Sequence, residues 1–121
     1  MILKIDTTNG IFIEVLDNKK ITARFINIEK NKQSELLILT INKALKKAGI
    51  KPGDIKKIEV ANQGGSFTSL RIGIATANAL GYALGMPVTA IGLTRARNIK
   101  KGSQVKPKYD REPNITLKKK I

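Results

Sequence analysis

"IKKIEVANQGGSFTSLRIGIATANALGYALGMPVTAIG", residues 55–92, decides the fold. Residues 55–62 read as a strand that runs directly into a glycine pair, Gly64 and Gly65. Over residues 66–84 the apolar side chains recur at helical spacing, and residues 87–92 then read as a short buried strand. A strand, a helix and a strand in that order predict a right-handed parallel crossover.

Upstream, residues 2–8, 11–17 and 20–28 read as three strands. Asn9-Gly10 between the first two predicts a tight hairpin turn with positive φ angles, and residues 17–20, DNKK, join the second to the third. Over residues 34–48 the period changes from two to near four. Ser34 is the candidate N-cap, Glu35 complements the N-terminal dipole, Lys46 and Lys47 occupy the last turn, and Gly49 is placed as the left-handed stop. On this helix Leu37, Ile41, Ala44, Leu45 and Ala48 share the face expected on the sheet, while Leu36 and Leu39 point elsewhere beside Lys43 and Lys46. The order βββαβαβ predicts an α/β domain over residues 1–98, with a five-stranded mixed sheet and two main helices. Residues 99–121 are expected as a basic C-terminal tail, docked through the apolar ITL at 115–117.

The 121 residues suit one domain with one core. Hydrophobic residues make up 41% and aromatics only 4%, so that core must be built from Ile, Leu, Val and Ala. The absence of Cys and His removes disulfides, thiolate nucleophiles, the usual zinc sites and the commonest general base. No apolar stretch has the length of a signal peptide or membrane span, so a cytoplasmic protein is expected. The net charge is +14, and residues 99–121 carry eight basic and two acidic side chains. Such a field favours RNA or a nucleotide, although a Lys-rich solvated surface has the same composition.

The GGSFTS corner admits three readings. A P-loop needs a Lys and a following Ser or Thr after its second glycine, and GGSFTS has no such Lys. A nucleophile elbow needs glycines flanking its serine and a His to activate it; Ser66 has Gly64 before it but Thr68 after it. What remains is a tight corner in which Ser66 caps the helix, with or without an anion at the free N–H groups. Behind it Gly73, Ala77 and Gly81 form a stripe with Leu70 and Leu84, while Ile72, Ala75, Ala79 and Ala83 line the other side. Only Arg71, Asn78 and Tyr82 make a polar strip, so a partner protein or a second copy is expected to cover part of this helix.

Three segments, ILKIDTT near the start, SELLILTINKAL, and GSFTSLRIGIATANALGYALGMPVTAI, resemble the N-terminal lobe of the TsaB (YeaZ) family. That family belongs to the actin, sugar kinase and Hsp70 superfamily. The likeness runs from residue 1 to about residue 95, and KPKYDREP resembles the family's Pro-x-Tyr-x-Arg ending. Gln63, Gly64, Gly65 and Ser69 depart from the family pattern, and the family's second lobe has no counterpart, so a one-lobe, minimal form is expected.

The resemblance implies a non-catalytic subunit in the synthesis of N6-threonylcarbamoyladenosine at position 37 of tRNA. Its partners would be a TsaD-like catalytic subunit and a TsaE-like ATPase, with tRNA bound through the complex and a homodimer in isolation. No membrane is involved, and no cofactor or metal of its own is expected, ATP and magnesium belonging to the partner subunits. The implied interface comprises Leu36, Leu39 and Lys43 on the first helix. On the second it comprises Leu70, Arg71, Gly73, Ala77, Leu80, Gly81 and Leu84. Asp6 and Thr7 match the start of the superfamily's phosphate-binding hairpin; with Gly64, Gly65 and Ser66 they form the expected vestigial phosphate or nucleotide contact. The alternative is an independent basic RNA- or nucleotide-binding module.

Overall fold

A computed structural model describes residues 1–28, 32–91 and 105. Three strands come first, β1 (Ile2–Asp6), β2 (Ile11–Asp17) and β3 (Lys20–Asn27), followed by α1 (Gln33–Ala48) and a 3-10 turn at Pro52–Asp54. β4 (Lys57–Val60), α2 (Phe67–Leu84) and β5 (Val88–Ala90) complete the order. The expected α/β fold with a five-stranded mixed sheet and two helices is what forms. Its strand order is β3-β2-β1-β4-β5, with β1, β4 and β5 mutually parallel and β2 antiparallel to both neighbours.

Register explains the core. Leu3 pairs with Val15 and Ile58, and Ile5 pairs with Ile13 and Val60, so one face of the sheet carries an unbroken aliphatic surface. All six are at most 1% exposed, and full burial of such a side chain stabilises by about 1.5–3 kcal/mol. α1 covers β2 and β3, while α2 covers β4, β1 and β5, on this same face.

Three contacts orient the helices. Lys47 Nζ lies 5.4 Å from the centre of the Phe25 ring on β3, so the row Leu36, Lys43 and Lys47 flanks the β3 edge. Ser69 Oγ donates to Gln33 Oε1 at 2.7 Å, so the row Ser69, Ile72, Thr76 and Leu80 faces α1. On the far flank of α2 the Asn78 carboxamide pairs with both backbone groups of Val105, at 2.9 and 3.0 Å. Val105 is 7% exposed and belongs to the core cluster, so this residue of the chain covers part of the α2 surface.

Two local expectations change. The β1–β2 connection is not a two-residue turn: Asp6 pairs with Phe12, and of Asn9 and Gly10 only Gly10 has positive φ, at 83°. Asp6 Oδ1 accepts from Thr8 N at 2.8 Å and Thr8 Oγ1 at 2.5 Å, which builds a wider Asx-type loop in place of a tight one. Ser34 is not the cap of α1, which begins at Gln33 after Lys32 with no side-chain cap bond. The Gln33 side chain is instead drawn into the loop, as described below. Gly49 does stop α1, at φ 74°, and Ser66 Oγ caps α2 by accepting from Ser69 N at 3.0 Å.

Among the described residues no helix is long and apolar enough to cross a membrane. The expected tail, 99–121, lies outside the described residues except for Val105, and so does the ITL at 115–117.

Candidate functional site

The parallel strands β1 and β4 end at the same edge of the sheet, which brings the β1–β2 loop against the β4–α2 corner. Asp6, Thr7, Gly64, Gly65 and Ser66 therefore do gather in one place. A Cβ added at Gly65, whose φ is 72°, would lie 2.5 Å from Thr8 O and 2.7 Å from Thr8 Cα. The two loops approach so closely that only glycine fits between them.

A hydrogen-bonded lock holds this junction. Gln33 is 3% exposed, and its Nε2 donates to Thr7 O at 2.9 Å and to Gly10 O at 2.5 Å. Its Oε1 accepts from Ser69 Oγ. Thr7, 1% exposed, donates its own hydroxyl to Ser69 O at 2.5 Å. One carboxamide thus ties the start of α1 to the β1–β2 loop and to the first turn of α2. Sequence reading missed Gln33, because a glutamine beside Lys32 carries no pattern that marks it as buried.

These contacts bear on the expected phosphate site. The Thr7 hydroxyl is turned inward and committed to Ser69 O, Asp6 Oδ1 already accepts two bonds from Thr8, and the glycine corner is packed on the Thr8 backbone. Among the described residues no group of three His, Cys, Asp or Glu can hold a metal ion. Within the junction Thr7, Gln33 and Ser69 are engaged with one another, while Asp6 and Thr8 reach its outer side. Beside it, an open cavity of about 320 Å³ is lined by Asp6, Thr8, Asn9, Phe12, Ile26 and Ile28.

The expected interface residues do not share one surface. Leu70, Gly73, Ala77 and Gly81 are buried against the protein's own sheet. A Cβ at Gly73 would overlap Thr7 Oγ1, and one at Gly81 would overlap Val88 Cγ2. The small-residue stripe lets α2 lie close on β1 and β5, which corrects its assignment to a partner. Leu36 is half-buried against the core, Lys43 is exposed on the β3 side of α1, and Arg71 stacks over Phe67 on α2. The apolar groups that do reach solvent include Leu39 at 56% and Leu84 at 37% exposure, with Leu80 half-buried. Ile38, 45% exposed and next to Leu39, was not singled out from the sequence.

Comparison with known proteins gives these features a context. The family model for TsaD, tRNA N6-adenosine threonylcarbamoyltransferase, matches residues 21–110. The tRNA threonylcarbamoyladenosine biosynthesis protein TsaB of Bacillus subtilis (strain 168) is 33% identical over 91 residues, which is 74% of this chain and 40% of that protein. A tRNA N6-adenosine threonylcarbamoyltransferase of Geotalea uraniireducens (strain Rf4) is 36% identical over 64 residues, 53% of this chain and 19% of that protein. YeaZ from Pseudomonas aeruginosa superposes with a TM-score of 0.70 at 23% identity, covering 74% of this chain and 42% of that one. A second structure, described as an uncharacterized protein with similarity to peptidase YeaZ from Pseudomonas aeruginosa, gives the same values. The chain thus spans less than half the length of each of these relatives.

Proposed function

We propose, from the premise that the chain belongs to the family of TsaD and TsaB (YeaZ) proteins, that it takes part in tRNA threonylcarbamoyladenosine biosynthesis as a non-catalytic subunit. Its partner in this reading is a TsaD-like catalytic protein, joined by a TsaE-like ATPase, with ATP and magnesium used on those subunits and tRNA bound by the assembly. The observation that carries the non-catalytic role is the lock at the junction, where the Thr7 hydroxyl is committed to Ser69 O, the Thr7 carbonyl to Gln33, and Asp6 Oδ1 to Thr8. The surface proposed for the catalytic subunit is the outer side of the two helices, where Ile38 and Leu39 on α1 are exposed and Ile72 and Leu80 on α2 are half-buried.

Reconstitution tests this reading. A TsaD-like subunit and a TsaE-like ATPase should modify tRNA in the presence of this chain and lose that activity when it is omitted. The double variant Ile38→Arg with Leu39→Arg should fold normally, because both side chains already face water, and should fail to co-purify with the catalytic subunit. Full co-purification of this variant would overturn the surface assignment; modification independent of the chain would overturn the function.

A further inference from the structure

Among the described residues the basic charge is concentrated at one end. The β1–β2 loop, the start of α1 and the start of α2 lie at the junction end, where Asp6, Lys32, Glu35 and Arg71 sum to zero. The opposite end is built from the β2–β3 turn, the last turn of α1 and the segment between α1 and β4. There Lys19, Lys20, Lys46, Lys51 and Lys56 are all exposed, against Asp17 and Asp54, a net charge of +3. Lys57 at the same end is paired with Glu59 at 3.1 Å.

Pairing in the sheet brings these segments together. Ile2 stands beside both Leu16 and Lys57, Asp17 pairs with Lys20, and Lys56 N donates to Met1 O at 2.8 Å. α1 reaches the same end because its 16 residues run from Gln33 at the junction to Ala48. From β3 to β4 the lysine-bearing edge spans roughly 15 Å, at about 4.8 Å per strand.

Backbone needs explain only part of this cluster. Lys46 complements the C-terminal dipole of α1. Lys19 does the opposite: its φ is 73°, a left-handed position that glycine or asparagine fits better than lysine. One of the two acids is occupied, since Asp54 Oδ2 accepts from Lys51 N at 2.9 Å. Exposed ammonium groups on a broad edge, with few carboxylates to neutralise them, match the spacing and charge of a phosphodiester backbone.

We propose that this lysine-bearing end, formed by the β2–β3 turn, the end of α1 and the entry to β4, is a binding surface for the phosphate backbone of RNA. The inference rests on the function proposed above only in choosing RNA as the polyanion. Its test uses the isolated full chain without a catalytic subunit, so failure to bind RNA and failure to bind that subunit are separate results.

Fluorescence anisotropy with a labelled oligouridylate, measured across a salt series, reads the number of phosphate contacts. Lys20→Gln, Lys51→Gln and Lys56→Gln combined should weaken binding and lower the slope of log K against log salt by about 2, at about 0.7 per contact on a single strand. The matched triple Lys32→Gln, Lys43→Gln and Arg71→Gln removes the same charge elsewhere and should leave the slope unchanged. Thermal melts that coincide with the parent chain establish that both triples are folded. Equal losses in the two triples would assign binding to net charge alone and overturn the proposal. So would absence of RNA binding, or tighter binding to phosphatidylserine vesicles than to the oligonucleotide.

Discussion

Replacing Gln33 tests whether one carboxamide holds the junction of the β1–β2 loop, α1 and α2. In Gln33→Ala the carbonyls of Thr7 and Gly10 each lose a donor in buried surroundings, while Ser69 Oγ, part-exposed, can turn to water. An unsatisfied buried acceptor costs about 1–1.5 kcal/mol at the lower end of the usual range, and the vacated volume adds to it, for a total of about 3 kcal/mol. Gln33→Met separates these contributions. It fills most of the space but offers no donor, and it should cost about 2 kcal/mol. Urea unfolding reads both values through the midpoint, with the m-value unchanged if the unfolding remains two-state. Gln33→Glu adds a pH test. Facing two carbonyl oxygens, the introduced carboxyl favours its neutral form, so its folded pKa rises above the ordinary value of about 4.3. That contribution is present at low pH and lost as pH rises through the raised pKa, so the deficit against the parent chain should grow between about pH 4 and pH 7. A Gln33→Met variant within about 0.5 kcal/mol of the parent would refute the lock, because ordinary surface changes have effects of that size.

Two further perturbations probe the packing that positions this junction. Gly73→Ala forces a methyl group onto Thr7 Oγ1 and should destabilise by about 1–3 kcal/mol, with part of the loss recovered when Thr7→Ala is added; calorimetry of the single and double variants measures the coupling. Arg24→Met removes the guanidinium whose Nε and Nη2 both donate to Glu14 Oε2, at 2.8 and 2.6 Å. Glu14 is 5% exposed, so the stranded carboxylate should cost about 2 kcal/mol, and Glu14→Leu added to Arg24→Met should restore most of it.

The segment from β4 to β5 was legible because its periods change from strand to helix to strand within one stretch, an order that a right-handed parallel crossover satisfies. The stop of α1 was legible for an equally local reason, since Gly49 sits at a left-handed position that few other residues adopt cheaply. The cap of α1 was not. Ser34 has the right chemistry for a cap, yet the lock at Gln33 begins the helix one residue earlier. Helix faces were legible on α1, where Leu37, Ile41, Ala44 and Leu45 are buried as expected. They were ambiguous on α2, which is apolar around most of its circumference, so periodicity does not distinguish the stripe that meets the sheet from one that meets a partner.

Sequence by itself therefore determined the element order, the mixed character of the sheet, the chemistry excluded by the absence of Cys and His, and the family likeness. Each of these depends on residue type or spacing along the chain. Tertiary structure alone decided that Gly73, Ala77 and Gly81 face inward, that Gln33 joins Thr7, Gly10 and Ser69, and that lysines from three separate segments form one charged end. The physical reason is common to all three: strand register and the crossover bring together residues from 19 and 20 to 51 and 56, or from 7 to 73, and no local pattern records which distant group a side chain will meet.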